Sequence, residues 1–168
     1  TKVLKDLLEN NSSDEPFFMI DSDVMFMDDI VDIIDLDFDI QFTKMSEGSH
    51  VSNSGILISH IGSFSLFNNK SKSLIFVNEW ISMMDKLINH GYNKPHETPA
   101  MNLLLSNKNL MSVVKIKSME EKEVCTDLCI ETFSKSVHFR SDGTSSATPL
   151  KNFTDRFNSI KIKDINNI

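Results

Sequence analysis

Apolar residues at the start of the chain recur at helical spacing. Val3, Leu4, Leu7 and Leu8 define one stripe and predict an amphipathic helix over residues 1–10. The polar run NNSSDEP ends that period as a loop, and Pro16 opens the next element. FFMI is uninterrupted and apolar but too short for a helix, so it reads as a buried strand. DDIVDIIDL predicts a short helix capped by Asp28, with Ile30, Ile33 and Ile34 turned inward. FDIQFT alternates as a strand does, and SGILISH predicts a second strand. KSLIFVNEWISMMDKLINHG predicts the longest helix, stopped at Gly91. ETPAMNLLLSN predicts another, with Thr98 as cap and Pro99 in the first turn. LMSVVKIK and KSVHF are strand candidates, and residues 141–168 read as a loop-rich tail. No internal repeat breaks this order. Strands alternating with helices predict a single α/β domain, a mixed sheet flanked by helices.

Composition narrows the function. With 168 residues the chain can build one core, and 40% hydrophobic with 24% charged residues is a globular balance. The net charge of −7 argues against a nucleic-acid partner, which would select a basic face. A nucleotide remains compatible with an acidic protein when a divalent cation lies between them. No apolar run of about 18 residues is present, so no membrane segment is expected. Cys125 and Cys129 are spaced C-x3-C, without the second pair a zinc site needs, and are expected to be buried free thiols. If helical, they would share one face. The Met-rich runs read as core filling, and MEEKE reads as a solvated helix face.

The chemistry concentrates in FFMIDSDVMFMDDI. Asp21 and Asp23 follow the apolar run one residue apart, a spacing that strand geometry turns to one side. Three readings are open at this point. The pair can cap a turn and face water, it can hold a hard divalent cation with a phosphate-bearing ligand, or Asp21 can be a nucleophile. In the last case D-x-D with Mg²⁺ would be that of a haloacid-dehalogenase-like phosphatase. That family's following Thr and late acidic pair are absent.

FFMIDSDVMFMDDI, VSNSGILIS, HETPAMNLLLS and SVHF occur in one order. That order resembles the catalytic half of GT-A-fold nucleotide-sugar glycosyltransferases, most of all the glycogenin-like and bacterial galactosyltransferase-like families, over roughly residues 16–140. The resemblance implies a metal-dependent transferase moving a sugar from a UDP- or GDP-sugar to a glycan or protein hydroxyl. It implies Mn²⁺ (or Mg²⁺) held by Asp21, Asp23 and His138; an imidazole beside carboxylates suits Mn²⁺ better. The plainer alternative for His138 is a core histidine beside Phe139. Asn53 and Gly55 match the N-S-G segment, where Gly55 would let backbone approach the sugar and Asn53 would bond its hydroxyls. Ser22 joins the donor-binding set. Glu97 stands where the family has the Asp of D-Q, five residues before Asn102, with Thr98 in place of Gln; it would bind hydroxyls or act as a base. The helix dipole alone also favours a carboxylate there. Arg140 would supply the positive charge at the diphosphate, where the family uses a later Lys. Trp80 matches an aromatic in the family's helix and is expected to pack in the core.

Enzymes of this kind place about a hundred residues of nucleotide-binding α/β units ahead of D-x-D. Here only 20 precede Asp21, so the chain is expected to be a partial domain. The resemblance leans towards retention of anomeric configuration. Outside enzymology, the competing expectation is a non-catalytic carbohydrate- or protein-binding remnant.

Overall fold

Of the predicted stripe on α1 (Lys2–Asn10), only Leu4 and Leu8 are buried, while Val3 and Leu7 remain exposed. The computed structural model describes residues 1–21, 24–26, 28–45, 50–52, 55–92, 97–126 and 136–138. The tail at 141–168 lies outside them, as do Ser22, Asp23, Asn53, Cys129 and Arg140.

Next come β1 (Phe17–Ile20), β2 (Val24–Phe26), a single 3-10 turn (Val31–Ile33) and β3 (Ile40–Lys44). β4 (His50–Val51), β5 (Leu57–Ile58), β6 (His60–Phe67) and α2 (Lys70–Asn89) follow. The remainder is α3 (Glu97–Leu105), α4 (Lys108–Met111), β7 (Ile116–Glu120), α5 (Glu121–Val124), β8 (Cys125–Thr126) and β9 (Ser136–His138). The result is a mixed α/β architecture, as the alternation of the sequence predicts.

The main sheet has the order β1-β6-β3-β7. β6 is antiparallel to both β1 and β3, and β3 is parallel to β7. Three strands therefore run one way and β6 returns between them. The carboxyl ends of β1, β3 and β7 and the amino end of β6 lie along one edge of the sheet.

Both faces of the sheet are covered. On one side Ile40, Phe42 and Phe67 pack with Phe76, Val77 and Trp80 of α2 and Ala100, Met101 and Leu104 of α3. Phe42 is central: its ring meets Phe76 at 5.4 Å, Trp80 at 6.0 Å and Phe67 at 6.1 Å. Trp80 is thus the core aromatic its position predicts. On the other side Phe64, Met119 and Val124 form a smaller cluster with Phe18, Val24, Ile30 and Ile33. Each such side chain, fully buried, contributes about 1.5–3 kcal/mol.

Several expectations need correction. The helix expected over DDIVDIIDL is only the 3-10 turn, and none of its residues is fully buried. The cause is Gln41, a fully buried side chain on β3. Its Oε1 accepts from Asp35 N at 2.7 Å and its Nε2 donates to Ile33 O at 2.9 Å. An α-helix over these residues would need the Asp35 N–H for its own bond to the Val31 carbonyl. The Asp28 carboxylate accepts from the next amide, Asp29 N, at 2.8 Å.

SGILISH divides between β5 and the start of β6, and β6 itself runs on through IGSFSLF. LMSVVKIK divides between α4 and β7. The helix α3 starts at Glu97, so Thr98 is inside its first turn rather than capping it. Pro99 still falls in that turn, where a missing N–H leaves no bond unmade. MEEKE is not one solvated helix face, because Met119 is buried in β7 before α5 begins. Cys125 opens β8, so a shared helix face does not apply to it.

Candidate active site

The apolar run FFMI ends the β1 ladder with Ile20 opposite Phe64. One step beyond, Asp21 is exposed, and its N–H still donates to Ser63 O at 3.0 Å. Val24 N returns to the Asp21 carbonyl at 3.1 Å. Asp21 therefore leaves the sheet at its carboxyl edge, where open α/β sheets carry ligands.

β2, starting one residue after Asp23, pairs antiparallel with β9, and Val24 lies opposite His138. Directly opposed residues in such a pair have Cα atoms about 4.5–5.5 Å apart. The ladder thus joins the backbone that follows D-x-D to the backbone of the late histidine. Among the described residues no group of three His, Cys, Asp or Glu side chains is arranged to hold a metal. The side chains of Asp23 and His138 lie outside that description, and Asp21 is the one proposed ligand whose side chain falls within it.

The N-S-G segment falls in sequence between β4 and β5, which pair as a hairpin with Val51 opposite Leu57. Ser52 N donates to Ile56 O and Gly55 N to Ser52 O, both at 2.8 Å. Gly55 has φ +75°, a conformation glycine adopts without strain. Among the described residues no atom lies within 4 Å of where a Cβ would stand.

Glu97 begins α3, and its carbonyl accepts from Trp80 Nε1 at 2.8 Å. Its carboxylate is more than half exposed and meets the Thr1 amine at 2.8 Å and the Thr1 hydroxyl at 2.7 Å. Burial pushes the Glu97 carboxyl up, but the Thr1 contacts outweigh it and hold it below the usual value. Glu97 is thus tied to Thr1 and α2, and no described contact joins it to Asp21.

Sequence reasoning missed a cluster beside these residues. His60, at the head of β6, has Nε2 2.8 Å from Ser118 Oγ and Nδ1 2.9 Å from Ser59 Oγ. Burial lowers its pKa; Lys44 adds to this and Glu120 opposes it. Lys44 and Glu120 form an exposed ion pair at 3.3 Å, worth about 0–1 kcal/mol. Ser63, whose carbonyl holds Asp21, is 5% exposed and its hydroxyl has no partner among the described residues. The alternation in IGSFSLF was the signal that could have placed them.

No helix among the described residues is long and apolar enough to cross a membrane. No curated protein matches the chain. Among solved structures, the chain is similar to the glycosyltransferase GlyE of Streptococcus pneumoniae TIGR4, with a TM-score of 0.57 and 13% identity. That match covers 95% of this chain and 46% of GlyE, so the chain spans about half that protein's length. At such identity the likeness is one of fold, and it agrees with the sheet described above. The sequence itself matches the family model of nucleotide-diphospho-sugar transferases over residues 1–147, and the chain belongs to that family.

Proposed function

We propose that the chain is the catalytic half of a metal-dependent glycosyltransferase, moving a sugar from a UDP- or GDP-sugar to a glycan or protein hydroxyl. The observation that carries the proposal is the β2–β9 ladder, which pairs Val24, next to Asp23, with His138. Residues far apart in sequence meet there beside the exposed Asp21, and two carboxylates with an imidazole suit Mn²⁺, or Mg²⁺ less well. When bound, such an ion neutralises charge on the departing nucleoside diphosphate.

The chain's own residues supply the rest. Asp21, Asp23 and His138 would be the ligands, and Ser22 and Arg140 would face the donor. Asn53 would bond the sugar hydroxyls, and Gly55, with no side chain, would let the sugar approach the backbone. Glu97, held ionised, can accept a hydrogen bond from a hydroxyl. Family membership favours sugar transfer over phosphatase chemistry at the same D-x-D.

The test is calorimetry of the full-length protein with a panel of UDP- and GDP-sugars, with and without Mn²⁺. Binding should require the cation and be lost in Asp23→Ala. Metal-independent binding, or equal binding by the variant, would overturn the site.

A further inference from the structure

We propose that Asn102 is a positioning residue that sets the spacing between the hairpin at Gly55 and the first turn of α3 at Glu97. The proposal rests on the sugar-transfer reading for its functional meaning, while its geometry stands apart from that reading.

Asn102 is 5% exposed and lies on α3, one turn beyond Glu97 and Thr98. Its Oδ1 accepts from Ser59 N at 2.8 Å and His60 N at 3.0 Å, and the Ser59 hydroxyl approaches it at 3.2 Å. Its Nδ2 donates to His60 O at 2.8 Å and Thr98 O at 2.9 Å. A primary amide offers two donors and one oxygen with two lone pairs, so every position is used. Asp lacks the donors, Leu lacks both functions, and Gln is longer by one methylene.

The two segments joined are those that carry proposed site residues. Ser59 and His60 link β5 to β6, and Gly55 lies between the two strands of the hairpin that ends in β5. Three residues beyond His60, Ser63 O holds the Asp21 N–H. On the other side, Thr98 follows Glu97 in the first turn of α3. Met45 N bonds Ser59 O at 3.0 Å and His60 reaches Ser118 on β7 at 2.8 Å, so the joint is also braced against the sheet. One buried amide therefore connects α3 to the head of β6, the strand whose Ser63 carbonyl holds the Asp21 N–H, and the spacing of the site depends on it.

Hydrogen exchange and kinetics on full-length protein test this together. In Asn102→Leu, amides of residues 55–60 and 97–101 should exchange about tenfold faster while β1, β3 and β7 keep their protection, since local opening is separable from global unfolding. Ser59→Ala, a milder change, should move the same segments less. Unchanged exchange in both segments, or a uniform rise across the sheet, overturns the proposal. The kinetic arm follows Mn²⁺-dependent hydrolysis of the panel's UDP- and GDP-sugars. Asn102→Leu should lower kcat about tenfold in the native background and less than about twofold with Glu97→Gln, because residues acting through one another are non-additive. Equal losses in both backgrounds overturn it. If the native protein hydrolyses no donor, the sugar-transfer reading fails, and the exchange measurement still decides the positioning.

Discussion

Replacing Gln41 by Leu removes a polar side chain from the sheet interior while keeping much of its volume. Gln41 is fully buried, and its two bonds, 2.7 Å from Asp35 N and 2.9 Å to Ile33 O, fix the turn between β2 and β3. Each lost bond costs about 0.5–1.5 kcal/mol net, and each group left without a partner costs about 1–3 kcal/mol where water cannot reach it. The turn is only half-buried, so water recovers part of that penalty, and the Leu side chain gains apolar burial of about 1–2 kcal/mol. The expected net loss is about 2 kcal/mol. With a urea slope of about 1–3 kcal/mol per molar, the unfolding midpoint should fall by about 1 M at unchanged slope. Asn68 supports the same turn, donating to Asp35 O at 2.8 Å and Phe38 O at 2.9 Å. Gln41→Leu and Asn68→Ala should therefore be sub-additive, since the second loss falls on a turn already released. A loss below about 0.5 kcal/mol, or strict additivity, would refute the assignment of this turn to Gln41.

Acidification should destabilise the protein in two windows. His60 has its pKa lowered chiefly by burial, so below about 6.5 the unfolded chain binds a proton that the folded chain resists, and stability falls as pH falls. Where the Thr1 amine is free, Glu97 is also lowered by it, and that contribution is lost below about 4.3 as the carboxylate is protonated. In thermal melts across pH, His60→Gln should flatten the upper window alone; an unchanged slope there counts against the neutral His60. Gly91 ends α2 at φ +93° with no atom of the described residues within 4 Å of a Cβ position, so Gly91→Ala should cost about 1–2 kcal/mol from backbone strain. Gly62→Ala, where among the described residues only Met19 Cε approaches at 3.8 Å, should be near neutral by the same denaturation assay. Thr43→Val breaks the buried 2.8 Å bond from Oγ1 to Phe64 O and should cost about 1 kcal/mol in midpoint shift.

What could be read from the sequence follows from how local each determinant is. The helix α2 was legible because its signals lie within it: an apolar stripe and a terminal glycine. β1 was legible as a strand running into Asp21 but not as a buried one: it is the edge of the main sheet, Phe17, Phe18 and Met19 are only half-buried and Ile20 is exposed. β6 was not read as one strand because Gly62, Ser63 and Ser65 break the apolar pattern, yet Ser63 and Ser65 are buried between neighbouring strands. The false helix at 28–36 had the correct period and was overruled by a side chain five residues beyond it. The 3-residue β2 carried no usable pattern, since what makes it a strand is β9, distant in sequence.

The candidate site divides along the same line. Asp21, Asp23, Asn53, Gly55, Glu97 and His138 were found through the order of short motifs, which records chemistry without distances. The links between them are backbone ladders and buried amides, and these follow from the fold. His138 is opposite Val24 because β9 adds to β2, not because of any residue pattern near either. Asn102 served in the sequence only as a landmark after Glu97; folded, it is bonded to both Thr98 and the Ser59–His60 joint. A substitution there should therefore disturb the spacing of the site without removing any group that would touch the donor. That separates it from Asp23→Ala, which removes a proposed ligand and leaves the joint intact. The two variants should differ in kind: loss of cation-dependent binding in one, and a local rise in exchange at 55–60 and 97–101 with lowered kcat in the other.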